Sequence, residues 1–168
     1  MNAFDLIRWA MKMTDAATAR LVEDMREHPL TQPTLGAKGG CGNHPLWVLG
    51  HLCVIEGAIP HILLGEPNPV EHWKPMFATG SVPKTDPAAY PSFDEVLRTY
   101  RDLRARNLRL LDEIGEAGLD RKPKHVPPGF EDMMLTFGHT LLLITLHNMV
   151  HYGQVTDARR VAGLKPLL

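Results

Sequence analysis

Apolar positions recur along this chain at helical spacing in four separate runs, and no run of useful length alternates as a half-buried strand would. The first, Asn2 to about Glu27, sets Ile7, Ala10, Met11, Thr14, Ala17, Leu21 and Met25 on one side and Arg8, Lys12, Arg20, Glu23 and Arg26 elsewhere. His28-Pro29 stops it, because the residue before a proline is driven out of the helical region. A glycine-rich loop over 29–43 follows and carries Cys41, read as an incidental, accessible thiol. The second helix is expected from Asn43, a good N-cap residue, with Pro45 in its first turn. Its stripe is Val48, Ile55, Ala58 and Ile62, with His44 and His51 at the same spacing. Pro60 removes a backbone donor and should kink this helix or end it within a turn, and Gly65 closes it.

Pro67, Pro69, Pro75, Pro83, Pro87 and Pro91 mark 65–91 as a long connection. It can run the full length of a helix, so its flanking helices need not be antiparallel. Ser92-Phe-Asp-Glu95 reads as a capping box that opens a third helix, ending near Ile114. That stripe is Val96, Tyr100, Leu103, Asn107, Leu110 and Ile114; Asn107 reads as a register-setting core polar group, with bonding to a metal-bound group as the alternative. After a loop over 115–131, the fourth helix is expected from about Asp132 to Ala162, with Gly163 as its stop. Four amphipathic helices bury their stripes together as an all-α, four-helix bundle, a single domain over 1–168.

Bulk composition narrows the class without naming a chemistry. Hydrophobic content of 44% and charged content of 22% describe an ordinary globular chain. A formal net charge of −1 gives no attraction to nucleic acid or membrane, and no apolar run is read as reaching the length of a bilayer span. The start, Met-Asn-Ala-Phe-Asp, lacks a basic segment followed by an apolar one, and Cys41 and Cys53 make no disulfide framework. The expectation is a cytoplasmic protein whose partner is a small molecule.

Nine histidines are the compositional oddity, and two of them, His147 and His151, stand four residues apart in the fourth helix. An i, i+4 pair points the same way, about 40° apart around the axis. Two polar rings among leucines are costly unless something binds them. His147 is grouped with Leu143, Val150 and Gln154, and His51 shares the inward stripe of the second helix. Facing stripes about 8–10 Å apart let imidazoles from two helices meet at one ion. Three neutral imidazoles suit Zn²⁺, and Ni²⁺ or Fe²⁺ less selectively; three protein ligands leave an open coordination position. Each histidine alone would read as a hydrogen-bonded or edge residue, and only the constellation favours metal. Asn148 stands where a zinc-protease motif carries its general-base glutamate, so that chemistry is excluded. Glu-x-x-His spacing is missing from the second and fourth helices, which argues against a di-iron site. Glu56, about 140° around from His51, is not a fourth ligand.

His44-Pro-Leu-Trp47-x-x-Gly50-His51-Leu52, with His147-x3-His151-x-Gly153-Gln154 and Arg160-x-x-Gly163-Leu164, resembles the DinB/YfiT-like family of metalloenzymes. The resemblance implies that His51, His147 and His151 bind one divalent metal. It also implies an up-down-down-up bundle with the long crossover between its second and third helices, and frequent homodimers. Some such proteins are thiol S-transferases or isomerases using low-molecular-weight thiols, and others are suspected hydrolases.

The leading reading is therefore a metal-dependent thiol S-transferase, with a cofactor thiol held as thiolate by the ion's charge. Hydrolysis through an activated water is the catalytic alternative, and a non-catalytic metal- or small-molecule-binding bundle the alternative outside catalysis. His44 is the one inward group seen as a general base, which weighs toward thiol chemistry. His44 is also read as a cap or as lining the site's mouth, Trp47 as a pocket wall, and Gln154 as a pocket amide.

Overall fold

The computed structural model describes residues 1–34 and 42–165, which leaves Cys41 outside the described residues. Among the described residues there are five helices and no strand: α1 Ala3–Glu23, α2 Pro45–Leu64, the one-turn α3 Lys74–Phe77, α4 Phe93–Ile114 and α5 Phe137–Val161. Single 3-10 turns occupy Glu71–Trp73, Pro87–Ala89 and Glu116–Gly118. The four long helices are those expected. The short α3 inside the 65–91 connection was not.

Local chemistry sets the ends. Asn2 opens α1, its side chain accepting from Asp5 N at 2.8 Å. The helix stops at Glu23, about a turn before the expected end, and the chain leaves through successive turns. The N-cap of α2 is His44, not Asn43: His44 Nδ1 accepts from Trp47 N at 3.0 Å, doing for the helix what a short polar side chain usually does. Ser92 opens α4 by accepting from Glu95 N at 3.2 Å, as the capping box implied. Thr136 opens α5, so this helix starts five residues later than the expected Asp132, after turns through Phe130 and Met134.

As expected, α2 runs about one turn beyond Pro60, to Leu64, and closes through Gly65 in the left-handed region. The proline lacks the N–H that would bond the carbonyl of Glu56 one turn earlier. Asn107 of α4 replaces it, donating Nδ2 to Glu56 O at 3.0 Å.

α2 packs against α4, α5 and α1, while α1 also lies along α5 and α4. Every residue from Pro45 to Val54 is buried, so the first half of α2 has no face toward solvent. By length and composition it could cross a membrane, contrary to the expectation, but 83% of its most apolar window is buried by the rest of the fold. It is a core helix. Val150, expected to share an inward stripe with His147, is 64% exposed, because the inward face of α5 is centred on Ile144, Asn148, His151 and Val155.

Two apolar clusters fill the bundle, one with Leu52, Tyr100 and Val155, the other with Ile59, Leu111 and Ile144. Between them on each of three helices lies a polar residue. Glu56 of α2, wholly buried, takes Asn107 Nδ2 on Oε2 at 2.7 Å, and Asn148 Nδ2 of α5 on Oε1 at 3.3 Å. Arg104 Nη2 of α4 lies 3.1 Å from the same Oε1, an ion pair with both side chains at most 1% exposed. Burial pushes the neighbouring Tyr100 phenol upward in pKa, so it stays neutral.

A buried pair of this kind is costly to break from one side, since the surviving charge has no solvent. Glu56→Ala should lose about 3–5 kcal/mol in chemical denaturation by leaving Arg104 unpaired. Asp112→Ala, which breaks the exposed Arg8–Asp112 pair, should leave stability almost unchanged. Equal effects would show that the hub contributes no more than a surface contact.

Candidate metal centre

His51 leaves α2 toward α5, and His147 and His151 leave α5 on successive turns of one side. Their Nε2 atoms converge: His147 Nε2 is 3.1 Å from His51 Nε2 and 3.0 Å from His151 Nε2. The three ligand atoms all lie within 4.8 Å of one another. A tetrahedral ion with Zn–N bonds of about 2.0–2.1 Å sets its nitrogens about 3.3 Å apart, so the two separations from His147 are within a few tenths of an ångström of a metal's needs.

Tautomers point the same way. His51 Nδ1 donates to the Phe77 carbonyl at 2.8 Å, and His151 Nδ1 donates to Gln154 Oε1 at 2.9 Å. A carbonyl can only accept, so the proton of each ring sits on Nδ1 and the Nε2 lone pair faces the common point. Asn43 Nδ2 donates to the same Gln154 Oε1 at 3.1 Å, which holds the amide in this orientation. Metal-bound imidazoles commonly have this outer arrangement. Neutral imidazole donors from two helices, pre-oriented by acceptors behind them, fit a borderline divalent cation.

Burial also keeps the rings uncharged. It lowers His51 to a pKa of about 4, helped by the two neighbouring imidazoles, and lowers His147 to about 4, with His151 adding to it. His151 is lowered by burial as well, against the opposing effect of its bond to Gln154. Trp47 lies parallel to the His51 ring, 4.9 Å between centroids and 7° apart, and walls that side. Its Nε1 donates to Ser81 Oγ at 2.9 Å. His147 is the least buried of the three, so the approach from solvent is past its ring.

Of the other expected site residues, His44 and Asn107 lie elsewhere and Gln154 stands behind His151. His44 is wholly buried, with Nδ1 on the helix cap and Nε2 donating to Lys84 O at 2.9 Å, so it is not free to serve as a base. Asn107 is a core polar group spent on Glu56. Gln154 acts through His151. Phe77, Asn43 and Glu56 were not foreseen as parts of this neighbourhood. The helix bearing Phe77 is too short for periodicity to reveal, and Glu56 sits on a side of α2 that only burial on all sides makes interior. Two surface clefts, of about 290 and 390 Å³, are lined by other residues and do not reach the three imidazoles.

The family model for the DinB superfamily matches residues 10–155, which includes all three histidines, and the chain belongs to that superfamily. No match is found among curated proteins.

The lowered histidine pKa values have a sign that titration can check. Between about 4 and the ordinary 6.5 the unfolded chain binds more protons than the folded one, so stability rises with pH across that window. The metal-free protein should keep full stability above about pH 6.5 and lose it progressively as pH falls toward 4. His147→Ala should flatten this dependence in thermal unfolding followed against pH; an unchanged profile would mean the buried rings do not control it.

Proposed function

Taking the chain as a DinB superfamily member, we propose that it is a divalent-metal-dependent enzyme of the thiol S-transferase type, built on the open three-histidine site of His51, His147 and His151. The observation that carries this reading is the donor set. Three neutral nitrogens converge from two helices, and among the described residues no carboxylate joins the cluster. A divalent ion held there would supply positive charge that favours the thiolate of a small thiol at neutral pH.

The chain's own residues prepare that role. The Phe77 carbonyl and Gln154 fix two rings with their lone pairs inward, so no reorientation is needed when a cation enters. Trp47 excludes water from the His51 side, and the half-buried His147 leaves an approach for substrate. Hydrolysis would call for a base beside a water. Glu56, the nearest inward carboxylate in sequence, is held by Arg104, Asn107 and Asn148. Cys53 does not offer an internal nucleophile: it is buried, and burial pushes its thiol well up. Cys53 is the only cysteine among the described residues, and we assign the attacking sulfur to a free low-molecular-weight thiol.

The proposal includes an up-down-down-up bundle, with the long crossover joining two helices that run the same way. In its support, Leu52 and Tyr100 share one apolar cluster, and Ile59 and Leu111 the other, so α2 and α4 progress together. Pairing of Arg8 with Asp112 and of Glu23 with Arg101 sets α1 against α4.

Incubation of the zinc-loaded protein with monochlorobimane and a panel of small thiols tests the activity. In the reaction a C–S bond forms, the C–Cl bond breaks and chloride leaves, with the thiol proton passing to solvent. Turnover should require both thiol and metal and should vanish in His147→Ala. Ester or amide turnover without any thiol would replace the transferase reading with hydrolysis.

A further inference from the structure

We propose that Gly50 is a positioning residue for His51: its missing side chain lets the Phe77 ring lie against α2, which brings the Phe77 carbonyl to the ring it orients. The inference deepens the metal-centre reading and rests on it. A Cβ placed on Gly50 would stand 2.3, 2.4 and 2.5 Å from Cε1, Cδ1 and Cζ of Phe77, far inside contact distance. The ring has nowhere to retreat. Phe77 is fully buried, stacked on Tyr90 with centroids 5.1 Å apart and tilted against Trp73 at 5.8 Å.

The segment from Asn68 to Ser81 is seated on α2 at two such notches. Gly57, seven residues and so nearly two full turns after Gly50, would meet Asn68 Oδ1 at 2.3 Å and Val70 Cγ2 at 2.7 Å if it carried a Cβ. Asn68 is fixed there, donating Nδ2 to Val54 O at 3.4 Å while Oδ1 accepts from Val70 N at 3.0 Å. At the far end Ser81 Oγ accepts from Trp47 and donates to Met76 O at 3.0 Å. The strap thus touches His51 through the Phe77 carbonyl on Nδ1 and, by way of Ser81, holds the Trp47 ring of α2 that lies on its face. Gly50 sets how closely it can lie.

Loss of an outer-shell hydrogen bond to a ligating imidazole typically costs 10–100-fold in metal affinity. Gly50→Ala should therefore weaken Zn²⁺ binding by about 10–100-fold in competition with a chromophoric chelator, and change the visible absorption of the Co²⁺-loaded protein. Adding Phe77→Leu, which removes two of the three contacted ring atoms, should recover most of that affinity. Gly153→Ala, whose added Cβ meets nothing within 4 Å, should bind as the parent does. A second readout needs no metal: the His51 Nδ1–H resonance and ring tautomer, seen by NMR in the metal-free protein, should be lost in Gly50→Ala and return in the double variant. Parental affinity and tautomer in Gly50→Ala would overturn the proposal, as would a deficit that Phe77→Leu does not relieve. If the parent protein binds no metal, the metal reading fails and the tautomer result alone decides the role of Gly50.

Discussion

Enclosure of α2 dictates where the polar groups of the bundle find their partners. From Pro45 to Val54 this helix has no exposed residue, with α4, α5, α1 and the Asn68–Ser81 strap around it. Every polar group it carries must then find a partner inside the protein, because burial without one costs on the order of 1–3 kcal/mol or more. His44 resolves this as the helix cap, and Glu56 through Arg104, Asn107 and Asn148. His51 takes the Phe77 carbonyl on one nitrogen and turns the other toward His147 and His151. The histidine cluster and the polar hub are two answers to the same demand, made by a helix enclosed from Pro45 to Val54 and again at Glu56.

The hub also bears on geometry at the site. Glu56 and Asn148 join the two helices that supply the imidazoles, and Asn148 directly follows His147. A buried ion pair is weak support for stability, and its best-attested use is to fix register. In this fold it holds α2, α4 and α5 at one level between two apolar clusters that could otherwise slide. Asn107 contributes twice, to the carboxylate and to the carbonyl that Pro60 leaves without a donor.

The long helices and the histidine spacing were legible because both are periodic. α1 and α4 show an apolar stripe against charged positions, and Ser92 announces its helix. His147 and His151 are close in sequence, and His51 lies on a run that had to be buried. What could not be read depends on partners from other helices. Arg104 looks like one more surface arginine until Glu56 is placed opposite it. Val150 seemed inward because α5 is apolar on most sides, so its stripe has little direction; Leu146, Met149 and Val150 are all exposed. The strap has no periodicity at all, and its fit to α2 depends on Gly50 and Gly57 meeting residues about 11–27 positions away.

Three histidines from two helices are proposed to form one divalent-metal site. Metal analysis and calorimetric titration of the purified protein, beside its His147→Ala variant, test it most directly. One ion per chain is expected in the parent, with neutral-pH affinity that falls in the variant by more than the roughly 10–100-fold typical of losing an outer-shell partner. A parent that takes up no divalent ion, or a variant that binds as tightly, would contradict it.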